Sequence, residues 1–126
     1  MSKKNMSLIH TSEDPDLTLD RIDFGRRISQ SYPTGLGVVI ADSGTDYEWY
    51  KRGCHYEIKA ECKVLDMRER QFTDNIMRYF REDDFSYTDT MERYARNKGY
   101  GVIILNRSGV GVLTNGECVK SFRRIR

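Results

Sequence analysis

Residues 35–50 read GLGVVIADSGTDYEWY: two glycines flank one leucine, a β-branched run follows, then a short polar turn and three aromatics within four residues. Val38, Val39 and Ile40 predict a buried strand, because β-branched side chains suit a pleated, covered surface. Asp42 or Ser43 is a candidate helix N-cap, since a short polar side chain can accept from the free N–H groups of a first turn. TDYEWYKR is then expected to form about two helical turns closed by Gly53. Core packing alone does not explain the crowding of Tyr47, Trp49 and Tyr50.

Outward from that stretch, residues 6–11 (MSLIHT) read as a short strand, and SEDPDLTLD as a loop marked by Pro15 and its acids. The segment around IDFGRRISQSYPTG shows no clear period and is expected to be loop with one helical turn. In CHYEIKAECKVLDM, Tyr56, Ile58, Ala60, Cys62 and Val64 alternate with polar residues, which predicts a strand with one wet face. RERQFTDNIMRYF places Phe72, Ile76, Tyr79 and Phe80 at helical spacing. SYTDTMERYARNKG does the same with Tyr87, Met91 and Tyr94, and Gly99 stops it. VIIL reads as a fully buried strand. GVGVLTNGECVKSF reads as two strands joined in a hairpin at Thr114-Asn115-Gly116. Strands and helices in blocks, without βαβ alternation, predict an α+β domain with a mixed or antiparallel sheet.

The chain has 126 residues, 38% apolar and 32% charged, with two prolines, so one globular domain spanning 1–126 is expected. Its apolar runs are too short for a membrane helix, and MSKKNMSLIH lacks the apolar core of a signal peptide, so a cytoplasmic location is expected. Cys54, Cys62 and Cys118 are odd in number with no CxxC, and His10 and His55 show no ligand spacing with them; neither a disulfide framework nor a metal site is expected. The net charge of +2 does not itself argue for nucleic acid, but KSFRRIR concentrates Lys120, Arg123, Arg124 and Arg126 at the end, as a solvated tail or an anion-facing patch.

Singly, the chemically suggestive residues have plain structural explanations. His10 can be a satisfied polar residue, the rings at 47–50 core anchors, and Glu117 a surface charge beside a turn. In their order, however, LIHTS, GLGVVIADSGTDYEWY and NGECVKSF resemble the three signature segments of the ADP-ribosyltransferase fold, in the His-Tyr-Glu branch shared by diphtheria-toxin-like and poly(ADP-ribose) polymerase-like enzymes. GYGVIIL is similar to a segment of small bacterial and phage members. The resemblance spans nearly the whole chain through short motifs.

That resemblance implies an ADP-ribosyltransferase-like sheet, NAD as co-substrate and no metal. It also implies transfer of ADP-ribose to a macromolecular acceptor, protein or nucleic acid, after cleavage of the nicotinamide–ribose bond. His10 matches the histidine that orients the dinucleotide, Tyr50 the tyrosine that stacks on nicotinamide, and Glu117 the catalytic glutamate. Thr11 stands where the family has a glycine that holds the carboxamide through its backbone, and Tyr47 where many members have a serine. Ser12, Gly37 and Val39 complete the expected cofactor-binding set, Val39 replacing the family's strand tyrosine. Asn115 stands two residues before Glu117, where arginine- and asparagine/cysteine-modifying toxins have Gln or Glu. The chemistry asks for a carboxylate at the ribose, because glycosidic cleavage develops positive charge there and a fixed anion favours the transition state over the ground state. Two other classes stay open: a nucleotide-binding or decoy protein of the same fold without turnover, favoured by Val39 and Thr11, and a nucleic-acid-binding module using Tyr32, Trp49, Tyr50 and the basic end.

Overall fold

The computed structural model describes residues 3–41, 53–82 and 86–126, the side chains of 79–82 excepted. The expected helix at 42–52, with the rings of Tyr47, Trp49 and Tyr50, lies outside them, as do the side chains of Tyr79 and Phe80. The strands are β1 (Lys4–Ser12), β2 (Leu36–Ile40), β3 (Cys54–Cys62), β4 (Val64–Asp66), β5 (Val102–Ile104), β6 (Val110–Leu113) and β7 (Val119–Arg124). The helices are α1 (Arg70–Glu82) and α2 (Tyr87–Lys98). The strands form one sheet in the order β4-β5-β6-β2-β1-β3-β7. Among the described residues only β4 and β5 run parallel. A parallel pair needs a long crossover, and α1 and α2 supply it.

The sheet curls, so its two faces do different work. Leu8, Val38, Ile58, Ala60, Cys62, Val102, Ile104 and Leu113, drawn from five strands, meet in one buried cluster on the inner face. Val64 and Val102 share that cluster with Cys62 because the chain passes from β3 into β4 across a single residue, Lys63, whose carbonyl accepts from Gly101 N at 2.9 Å. On the outer face, Leu65 and Ile103 pack under Phe72 and Ile76 of α1 and Met91, Tyr94 and Ala95 of α2. These are the apolar stripes expected from the helical spacing. Ser86 caps α2 by accepting from Asp89 N at 3.1 Å, and Gly99 ends it in the left-handed conformation at φ 75°.

The hairpin at Thr114-Asn115-Gly116 does not form. Both edges of β6 are already taken, by β5 and β2, so β7 crosses over and pairs with the free edge of β3. Thr114 fastens the start of this crossover, its hydroxyl donating to the carbonyls of Tyr100 and Gly101 at 3.1 Å, and Asn115 Oδ1 accepts from Glu117 N at 2.9 Å in an Asx turn. The basic end is therefore mostly an edge strand and not a loose tail: Arg123 pairs with Glu57 at 3.1 Å and Arg124 donates to Pro15 O at 3.2 Å.

The cysteine expectation is also corrected. Cys62 and Cys118 are disulfide-bonded across 56 residues, while Cys54 is free. Spacing carries no signal for such a pair; the crossover brings it together, because Glu61 N donates to Cys118 O at 2.9 Å where β7 begins. Gly101 lies against the bridge, and a Cβ there would stand 2.9 Å from Cys118 Sγ.

Candidate functional site at the split between β1 and β2

β1 and β2 pair only through Leu8↔Ile40 and Ile9↔Val39. Beyond that point β1 stays with β3 as far as Ser12↔Cys54, while β2 stays with β6 as far as Leu36↔Leu113. The sheet therefore splits at His10. Its Nδ1 lies 2.7 Å from Gly37 O and spans the gap left by the ladder. A carbonyl only accepts, so Nδ1 holds the proton and donates. Burial lowers the His10 pKa below 6.5, outweighing the Gly37 bond that raises it, so the ring is neutral near pH 7 and Nε2 keeps its lone pair.

The split opens into a cavity of about 500 Å³ lined by His10, Thr11, Gly37, Val38, Ile28, Tyr32, Asn106 and Val110. This is a size at which small-molecule sites are found, ~300–1,000 Å³, and the lining is mainly apolar with few polar groups, as such sites require. Ile28 and Tyr32 come from the long connection before β2, Asn106 from the turn before β6. Gly37 makes the close approach possible, since a Cβ there would stand 2.3 Å from Ile28 Cδ1. Gly35, at φ 146° with Leu113 O where a Cβ would be 2.5 Å away, is likewise required where that connection enters β2. Thr11 brings a buried hydroxyl without a hydrogen-bond partner among the described residues. An orphaned buried oxygen beside a cavity is a place for a ligand's polar atom.

A second cavity of about 400 Å³ shares His10, Ile28 and Gly37 with the first and continues past Ser12 and Leu36 to Arg21, Asp23, Arg26 and Arg27. The connection forming its wall is pinned to α2: Arg27 donates to Asp89 at 2.5 Å and Glu92 at 2.7 Å, and Thr34 N donates to Glu92 at 3.1 Å. These partners hold the Asp89 and Glu92 carboxyls below their usual range, though burial works against this at Glu92. The two cavities, an apolar slot and a cationic annex, meet at His10, Ile28 and Gly37, which line both.

The expected site residues divide. His10, Thr11 and Gly37 come together in the slot, and Ser12 stands in the annex. Val39 is 1% exposed and belongs to the packed sheet, next to the slot and not in its lining. Tyr47 and Tyr50 lie outside the described residues. Glu117 is not brought to His10. It is exposed in the crossover beside Cys118, and lines a separate cavity with Lys3, Glu61, Lys63 and Asn115. The bridge to Cys62 places this crossover opposite Lys4, six residues along β1 from His10, on the order of 20 Å at strand rise. The crossover carries Glu117 away from β6 and over to the edge of β3.

Arg21, Arg26, Ile28 and Asn106 are site residues that sequence pattern did not single out. Arg26 and Ile28 fall in IDFGRRISQSYPTG, whose lack of period is their only signal, since a long irregular connection inside a compact domain is often a binding loop; Arg21 precedes that stretch and Asn106 lies in the turn before β6. Among the described residues no cluster of His, Cys, Asp or Glu could hold a metal ion, and no helix is long and apolar enough to cross a membrane. Comparison with family models, curated proteins and solved structures returns no match for this chain.

Proposed function

We propose that the cleft at the β1/β2 split binds a nucleotide of the NAD type, and that the protein acts through this binding without turnover by Glu117. The observation that supports this most is His10, fixed by Gly37 O at the junction of an apolar slot and an arginine-bordered annex. A flat heterocycle suits the slot, which Tyr32 and Ile28 help to line. A ribose hydroxyl can donate to the neutral Nε2, and a carboxamide or second hydroxyl can satisfy Thr11. NAD offers all of these groups along with a diphosphate.

ADP-ribosyl transfer to a macromolecular acceptor is what the sequence resemblance implies, and it needs a carboxylate at the ribose carbon that loses nicotinamide. Electrostatic stabilisation acts over contact distances of about 3 Å, and Glu117 lines a different cavity from His10. No carboxylate lines that slot among the described residues. Binding without Glu117-dependent turnover is therefore the reading proposed. Two assays on the wild type and on Glu117→Gln test it: the melting temperature with added NAD, and nicotinamide release with and without cell extract as acceptor source. The proposal expects NAD to raise the melting temperature of both proteins equally, with no release lost on substitution. Release by the wild type that vanishes in Glu117→Gln would restore the transferase reading.

A further inference from the structure

The geometry points to Arg26, assisted by Arg21, as the phosphate-holding pair of this cleft, so that its ligand is a diphosphate-bearing nucleotide and not a free nucleoside or base. This deepens the nucleotide-binding reading above and rests on it. Three arginines border the annex, but they are not equally available. The Arg27 guanidinium is committed, its Nη2 to Asp89 and Glu92 and its Nε to Thr34 Oγ1, and the two carboxylate bonds raise its pKa and make it a structural tie. Arg21 pairs with Asp14 at 3.0 Å and donates to Asp16 O at 3.0 Å, yet its side chain is 56% exposed and keeps free donors. Arg26 has no side-chain partner among the described residues, while its backbone carbonyl, accepting from Gly35 N at 2.9 Å, anchors it at the mouth of the connection.

A guanidinium presents several N–H donors in a planar fork that matches phosphate oxygens, and an uncommitted one beside a cavity is the group from which an anion gains most. Asp23 is the carboxylate on the same wall. Its Oδ1 accepts from Gly25 N at 2.9 Å, which holds it in the local turn. Because His10, Ile28 and Gly37 line both cavities, a ligand whose ring occupies the slot runs past His10 directly into the annex. The order along the ligand is then heterocycle, ribose, diphosphate.

The test is calorimetric titration of the wild type, Arg26→Gln and Arg21→Gln with NAD and with adenosine, each variant first confirmed folded by its melting curve. The wild type is expected to bind NAD more tightly than adenosine. Arg26→Gln is expected to weaken NAD about tenfold or more, in keeping with a charge-assisted hydrogen bond, and to leave adenosine unchanged. Arg21→Gln weakens NAD by a smaller factor. NAD affinity unchanged in Arg26→Gln overturns the phosphate pair while leaving the nucleotide reading intact. If the wild type binds neither ligand, the nucleotide reading fails. Inorganic pyrophosphate titrated against the arginine Nε–H resonances then decides the annex alone: a shift at Arg26 sustains an anion site there, and no shift overturns it.

Discussion

The two ends of the β1–β3 ladder are built from the same strands and do opposite things. At the Lys4–Cys62 end the chain is fastened: a disulfide joins β3 to the crossover before β7, Gly101 packs against it, and Glu117 faces outward among lysines. At the Ser12–Cys54 end β1 loses its second neighbour, and the gap becomes a cavity bridged by one imidazole. A sheet can leave backbone and side-chain polar groups unpaired only where something else will pair them. The difference also separates Glu117, exposed in the crossover before β7, from the slot that His10 lines.

The largest effect expected from breaking this contrast is at the fastened end. Cys118→Ser opens a loop of 56 residues, and chain entropy alone puts the loss near 4 kcal/mol. Urea unfolding of the variant is expected to show that loss, with NAD affinity, measured in native buffer, unchanged. At the split end the reverse holds. His10→Ala removes the bridge to Gly37 and the acceptor at the cavity wall, and is expected to weaken NAD by about 10- to 100-fold, a hydrogen-bond-sized effect, while denaturant stability moves less than in Cys118→Ser.

Acid sharpens the comparison without mutation. His10 titrates below 6.5 in the folded protein because burial disfavours its charged form. The unfolded chain therefore binds the proton first as pH falls. Stability is expected to be full above pH 6.5 and to decline below it until the pH passes the folded value, whereas the proposed NAD binding is expected to hold down to that lower folded value and to fall only as the native ring protonates. His10→Ala is expected to flatten this part of the profile, as read by melting temperature against pH from 7.5 to 5. The smallest effect is expected at Glu117. Glu117→Gln changes an exposed side chain away from the cleft, so stability should stay within about 0.5 kcal/mol and NAD affinity within calorimetric error.

Local pattern made most elements legible. Val38, Val39 and Ile40 read as a covered strand and are one; the alternation from Tyr56 to Cys62 and the stripes of Phe72 and Ile76, or Met91 and Tyr94, sit where their periods place them. These are short-range signals, and burial follows directly from them. What stayed hidden depends on which edge of a strand is free. Asn115-Gly116 is a sound turn signal, but no local rule reports that β6 is already flanked by β2 and β5. The disulfide and the position of Glu117 follow from that one crossover. Of the expected site residues, His10, Thr11 and Gly37 were legible as neighbours, because the split lies within the strands that carry them. Arg26 was not, since a connection without period gives no hint of which of its charges stay unpaired.

The central claim is that ligand enters at the His10 end. The chain has only two histidines, so their imidazole resonances can be followed individually during an NAD titration. The account predicts that the His10 signals shift in a saturable way and that its titration moves with bound ligand, while backbone signals around Glu117 and Cys118 stay in place. Shifts gathered at Glu117 with His10 unmoved would contradict it.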